Sequence, residues 1–282
     1  MITDQKTNKL YLSDKLSKTY PGFYSNFVKA LDAANIYPEV LVGTKDIWAR
    51  DYMPVQVNEN DYVGFKYDPT YLRFEKYKNK KTDGLAVFPL KQIKPERTEI
   101  ILDGGNVIAG NDWAILTARI FSENPDIAPE SMIEIICKLL QVKRIIIIPV
   151  APYDFTGHAD GAVRFYKEDT VLINDYSKTE NKKYREYDLH LRMALHNAGL
   201  KYLTVPCLPD INKNNTSAYG FYINYLRIGN TILLPTFEND VEDDYAVARF
   251  KELFGNLVFP VKSNEIAAQG GVLNCISWTC KQ

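Results

Sequence analysis

This chain carries almost no net charge: 34 lysines and arginines face 35 aspartates and glutamates, leaving −1 over 282 residues. No field of one sign therefore draws it to nucleic acid or to an anionic membrane, and a small polar or cationic partner is the expectation. Long apolar runs are also missing. The strongest, RIIIIPV from Arg144, falls well short of the roughly 18 residues that cross a bilayer and reads as a buried strand. The opening MITDQKTNKL has no apolar signal core, so a cytoplasmic location is expected. Cysteine is scarce: residues 137, 207, 275 and 280 form no CxxC pair and have no nearby histidines, which removes zinc spacing. A disulfide framework is not expected either, because a chain of this size can build its core without staples. No stretch is low in complexity or rich enough in Pro, Gly and Ser to be a linker, so residues 1–282 are read as a single domain.

With 46% hydrophobic and 24% charged residues, the composition is that of a globular protein. Alternation and apolar runs predict strands at Glu39–Val42, Val55–Val57, Tyr62–Tyr67, Glu99–Leu102, Trp113–Thr117 and Arg144–Val150, with a helix at Pro129–Leu140. A strand pair at Val163–Tyr166 and Thr170–Asn174 follows, then a helix near Tyr184–Ala198 and a strand at Tyr202–Val205. Next come Gly220–Arg227, Thr231–Leu234, a helix near Val241–Leu253 and a strand at Leu257–Pro260. The succession of strand pair, helix and strand recurs at intervals of roughly 50 to 70 residues, which points to a modular α/β architecture with pseudo-symmetry.

Four polar stretches, three of them glycine-bearing, fall at strand ends, where loops carry function on a rigid scaffold. DIWARDYMP holds Trp48, Arg50 and Asp51; ILDGGNVI holds Asp103, two glycines and Asn106. DFTGHADGAVRF holds His158, Asp160 and Arg164, and GGVLNC holds Gly271 and Cys275. Singly, each has a plain explanation: hairpin turns for the glycine pairs, core for Trp48, a surface ion pair for Arg50 and Asp51. His190 and His196 lie on one helix at a spacing that keeps them apart. Cys137 reads as core packing in MIEIICKLL, and Cys207 in TVPCLP has no assigned role. Cys280 reads as the far face of an extended strand or the frayed chain end.

Taken together the four stretches carry chemistry. A thiol needs a neighbouring base or cation to become a nucleophile, and His158 can supply it. In an extended segment His158 and Asp160 face one side. A cysteine, a histidine and more than one carboxylate suit covalent chemistry on a planar cation such as guanidinium, whose N–H fork matches carboxylates, with Trp48 as an apolar or cation–π wall.

In their order and spacing the motifs WARDYMP, DGGN, GHADGAVRF and GGVLNCIS resemble the agmatine deiminase family, including the Porphyromonas-type peptidylarginine deiminases, within the guanidino-group-modifying (pentein) superfamily. The resemblance implies a five-bladed pseudo-symmetric α/β propeller of ββαβ modules. It implies hydrolysis of a guanidine, agmatine or a related arginine derivative, to a ureido product and ammonia through a covalent thiouronium adduct. Cys275 is then the nucleophile, His158 the general acid and base, and Asp103 and Asp160 the carboxylates that bind the guanidinium nitrogens. Trp48, Arg50, Asp51, Asn106, Asn224, Arg164 and Gly271 are the candidate substrate-binding residues. No metal or organic cofactor is expected, nor a nucleic-acid or membrane partner; homo-oligomerisation is left open. The chain departs from the family's pattern in Asn274, where histidine is usual, and in Ser277, Trp278 and Thr279, which replace a TQQ run. The segment after DGGN lacks the closely spaced arginines that read an α-carboxylate, Arg119 being the one candidate. The alternatives are an amidinotransferase, a peptidyl- or free-arginine deiminase, and a non-catalytic guanidine binder.

Overall fold

A computed structural model describes residues 1–211 and 217–282. Its described strands form five sheets of three. The first joins the two ends of the chain: β1 (Lys9–Ser13) lies between β2 (Glu39–Leu41) and the last strand, β15 (Ser277–Cys280). The others follow in order: β3 (Val55–Gln56), β4 (Tyr62–Lys66) and β5 (Glu96–Ile101); β6 (Ile108–Ala109), β7 (Trp113–Thr117) and β8 (Arg144–Ile148); β9 (Val163–Lys167), β10 (Thr170–Asn174) and β11 (Lys201–Val205); β12 (Leu226–Ile228), β13 (Thr231–Thr236) and β14 (Val258–Lys262). Each middle strand pairs antiparallel on one side and parallel on the other. A parallel partner requires a crossover, which is why a helix recurs inside four of the five repeats.

The crossover helices follow from local sequence. Pro21 opens the helix Pro21–Ala33 at a position that needs no amide donor, and Phe23, Phe27 and Leu31 recur every fourth residue to form its buried stripe. Pro129 opens Pro129–Leu139, which buries Met132 and Ile136. Asn181 caps Lys182–Asn197 by accepting from the Lys183 amide at 3.0 Å. In Asp240–Phe254 the helix ends at Gly255, whose φ of 79° is the left-handed conformation that glycine tolerates. The β4–β5 crossover departs from the expected ββαβ pattern: short 3₁₀ turns at Thr70–Leu72 and Glu75–Lys80 take the place of an α-helix.

Most expected elements lie within a few residues of their observed bounds. The Gly220–Arg227 strand is the main exception, since only Leu226–Ile228 forms a strand and the residues before it form turns, with Phe221 bridging Cys207. The sequence reading also missed β1 and the helix after it, because β1 is five residues long and its antiparallel partner lies at the far end of the chain. That pairing corrects the reading of Cys280 as a frayed end: it is fully buried and pairs with Lys9.

Trp278, one of the departures from the family's pattern, anchors this closure. It is 3% exposed, its ring lies 5.1 Å from Tyr11 and 5.7 Å from Phe88, and its Nε1–H donates to the Pro54 carbonyl at 2.9 Å. Trp278→Ala leaves a large cavity and is expected to cost about 3–5 kcal/mol. Urea unfolding checks this; a loss below about 1 kcal/mol would show that the end strand is dispensable.

Candidate active site

The five modules contribute to one site from the same structural position, the loop just before the first strand. Before β15 lies Gly271–Cys275; before β3, Trp48–Asp51; before β6, Asp103–Asn106; before β9, His158–Asp160; before β12, Asn224. Neighbouring loops are stitched by backbone hydrogen bonds: Arg50 N–H to Cys275 O at 3.1 Å, Asp160 N–H to Gly105 O at 3.1 Å, and Asn274 N–H to Asn224 O at 3.1 Å.

Close approach explains the glycines. A Cβ on Gly104 would stand 2.1 Å from the Arg50 carbonyl oxygen, and one on Gly105 would stand 2.6 Å from Asp51 Oδ1 and 2.7 Å from His158 Nδ1. Gly104 and Gly105 therefore form no hairpin tip. They let a 3₁₀ turn slide under two other loops. A Cβ on Gly271 would meet the Trp48 ring at 2.6 Å.

Trp48, Asp51, His158, Asp160, Asn224, Gly271 and Cys275 all line one cavity of about 410 Å³. At its floor, Cys275 Sγ lies 3.6 Å from Asp160 Oδ2 and 3.3 Å from Asn224 Oδ1. Asn274 donates to Asp160 Oδ2 at 2.7 Å, and its own Oδ1 accepts from Arg50 Nη2 at 3.3 Å. The residue that departs from the family's histidine thus ties a buried guanidinium to the carboxylate beside the thiol.

Four candidates sit elsewhere. Asp103 is behind His158 rather than on the cavity wall: its Oδ2 meets His158 Nε2 at 2.9 Å and accepts from Tyr71 OH at 2.7 Å. The second carboxylate facing the cavity is Asp51, whose Oδ1 lies 3.5 Å from His158 Nδ1. Among the candidate carboxylates, those that line the cavity are thus Asp51 and Asp160, where Asp103 and Asp160 were expected, and Asp103 is bonded to the imidazole. Arg164 is away from the cavity, fully buried, bonded to Asp4 at 2.5 Å and to the Tyr225 carbonyl at 2.6 Å. Arg50 lies beneath the site, and Asn106 accepts from the Thr117 amide at 2.9 Å to hold a strand. Arg119 is committed to Glu123 and Thr70 outside the cavity wall. Sequence reasoning missed Asp46 and Tyr71, both on the wall; Asp46 stands in the quoted DIWARDYMP, whereas Tyr71 had no motif to mark it.

Burial and crowding of carboxylates set the protonation states. Burial alone would lower His158, but Asp51, Asp103 and Asp160 outweigh it and hold the imidazole protonated up to about 10. Asp51 is pushed well above the usual carboxylate range by burial, with His158 pulling the other way and Asp103 and Asp160 adding to the rise. Burial also drives the Cys275 thiol well above its ordinary value, reinforced by Asp160 and Asp51. The site thus holds a protonated thiol and an imidazolium within a ring of carboxyl groups.

Fold and site define an enzyme of five pseudo-symmetric modules with a cysteine, a histidine and paired carboxylates around one cavity. The family described as Porphyromonas-type peptidyl-arginine deiminase matches residues 24–280, and the chain belongs to that family, whose members are hydrolases acting on C–N bonds. It is 25% identical to the putative agmatine deiminase of Mycoplasma mycoides subsp. mycoides, over 82% of this chain and 74% of that one. To the agmatine deiminase of Pseudomonas fluorescens it is 24% identical, over 90% and 79%. In three dimensions it resembles the substrate-bound agmatine deiminase of C. jejuni with a TM-score of 0.81 at 16% identity, covering 100% of this chain and 96% of that one. A more distant likeness, TM-score 0.59 at 9% identity over 97% and 99%, is to DDAH of Pseudomonas aeruginosa, also a pentein fold.

The raised thiol has a direct consequence. In the ligand-free protein, alkylation of Cys275 by iodoacetamide at pH 7.5 is expected to run at least about tenfold slower than that of an exposed cysteine, and to accelerate above pH 9. Peptide-resolved mass spectrometry measures this. A Cys275 that alkylates fastest near neutrality would show a thiolate already formed.

Proposed function

We propose that this protein hydrolyses a guanidine to a ureido product and ammonia through a covalent adduct on Cys275. The observation that carries this reading is the convergence of Cys275, His158, Asp160 and Asp51 on one cavity. A guanidinium seated between Asp51 and Asp160 puts its N–H fork against both carboxylates and its central carbon beside the sulfur. The bound positive charge offsets the carboxylates that hold the thiol protonated, so the substrate itself favours the thiolate, the thiol proton passing to water. The thiolate attacks the guanidinium carbon. His158, an acid at neutral pH, gives its proton to the departing nitrogen, and ammonia leaves. The adduct that remains is an S-alkyl thiouronium. His158, now a base, takes a proton from water as that water adds to the same carbon; the carbon–sulfur bond breaks and the ureido product is released. Asp103 holds the ring at Nε2 throughout, as the orienting carboxylate does in a nucleophile–base–acid triad. The two carboxylates, a thiol and an imidazole account for every step with protein groups alone.

Agmatine is the first substrate to test, since it is the compound named in the related deiminases. Purified protein is expected to release ammonia and a ureido product from agmatine, free arginine or arginine-ended peptides. Cys275→Ala should abolish turnover by at least about 10³-fold, and acid quenching of the wild type should trap a mass increment on Cys275. Folded protein that turns over none of these compounds would sink the proposal. Transfer of the amidino group to an added amine in place of water would reassign the same site to an amidinotransferase.

A further inference from the structure

The cavity holds one carboxylate that the reaction above does not use. Asp46 lies on the wall, 8% exposed, on the segment that leads into Trp48. Its Oδ1 accepts from the Trp48 amide at 3.1 Å, and its backbone carbonyl accepts from Ser13 Oγ at 2.7 Å. Its Oδ2 is buried and has no hydrogen-bond partner. No lysine, arginine or histidine lies within ion-pair distance of it among the described residues.

A purely structural role does not explain this group. Capping the Trp48 amide takes one oxygen, and an asparagine would supply it at the same place. Burying a carboxylate whose second oxygen meets nothing is costly unless a partner arrives. Asp51 and Asp160 already provide the two carboxylates a guanidinium fork needs, so the free oxygen of Asp46 is available to a different positive group.

We propose that Asp46 is a specificity-determining residue of this cavity, its free Oδ2 receiving a second positive charge on the substrate, beyond the guanidinium. This rests on the guanidine reading of the site. The charged and titratable groups around Asp46 are compatible with it. Lys80 and Lys45 line the same cavity, and Asp51, five residues on in the same segment, and Asp103, from a neighbouring loop, crowd Asp46. Tyr52 and Tyr67 are held neutral, pushed well above their usual range by burial. Burial, with Asp103 adding and the Trp48 amide and Lys80 opposing, lifts Asp46 to about 7. Its charge is thus present above neutrality and lost as pH falls through that value.

The test compares two ligands that differ in one group, agmatine and n-butylguanidine, by calorimetry on full-length Cys275→Ala protein at pH 8, where binding proceeds without turnover. Agmatine is expected to bind about tenfold or more tighter, and Asp46→Asn, which keeps the Oδ1 acceptor, should reduce that gap to within about threefold while butylguanidine affinity holds. In the Cys275→Ala parent the gap should also shrink from pH 8 to pH 6, a range in which an alkyl ammonium stays charged. Titration of Asp51 acts on the shared guanidinium end and cancels in the comparison. Should Asp46→Asn fail to fold, this pH series in the parent decides the matter. Equal affinities in the parent, or a gap that survives Asp46→Asn, would overturn the role of Asp46 and leave deimination standing. Binding of neither ligand by folded protein would overturn both.

Discussion

The site rests on an imbalance of buried charge. Asp46, Asp51, Asp103 and Asp160 are all less than one-tenth exposed, and among them stand one imidazole and, one layer beneath, the Arg50 guanidinium. Carboxyl groups at that density in a poorly solvated interior cannot all ionise cheaply. The strain shows in where protons sit: on His158 well past neutrality, on Cys275, and on Asp51 far above the usual carboxylate range. Carboxyl groups so arranged suit a planar cation, and under the proposed reaction such a cation would also offset the groups that keep the thiol protonated.

Holding that much like charge together takes a rigid frame, and the repeat supplies it. Each module offers the loop before its first strand, so five short segments meet without a long irregular connection. Their mutual distances are fixed by main-chain hydrogen bonds and by the absence of side chains at Gly104, Gly105 and Gly271. Arg50 shows the economy of the arrangement. Its amide bonds to the Cys275 carbonyl, while its side chain reaches Asn274 and Thr279. One residue thereby couples the Trp48 loop to the loop that carries the sulfur.

Much of this was legible in the sequence. Strand pairs and helices gave the modular class because their periodicities are local. The four motifs pointed to Cys275, His158, Asp160 and the Trp48–Asp51 loop because their glycines or charges interrupt the apolar pattern at strand ends, in an order that resembles one family. Which carboxylate faces the cavity was not legible. Asp51 and Asp103 each stand beside apolar runs, and only the fit of Gly105 between Asp51 and His158 determines that one lies in front of the imidazole and the other behind it. Arg164 misled because its neighbours in the motif are at the site, whereas its side chain turns away to Asp4 and Tyr225. Asp46 was passed over because nothing in its motif sets it apart from Asp51, and its unpartnered oxygen exists only in three dimensions.

The placement of the proposed nucleophile near the last strand also has a physical logic. Cys275 precedes β15, whose antiparallel partner β1 lies some 270 residues earlier, so its loop acquires a position only when the two ends of the chain have met. That contact is among the most non-local in the molecule and the costliest in loop-closure entropy. Trp278, Tyr11, Tyr62 and Phe88 bury a large aromatic surface at the seam, and burial of that kind is the main force able to offset such a cost. Trp278 of the seam and the thiol of Cys275 are three residues apart on the same strand entry, so a chain that has not closed its first module has no assembled site. The sulfur stands among the carboxylates only where that seam is closed, and the charge imbalance that defines the site is therefore carried by the folded state alone.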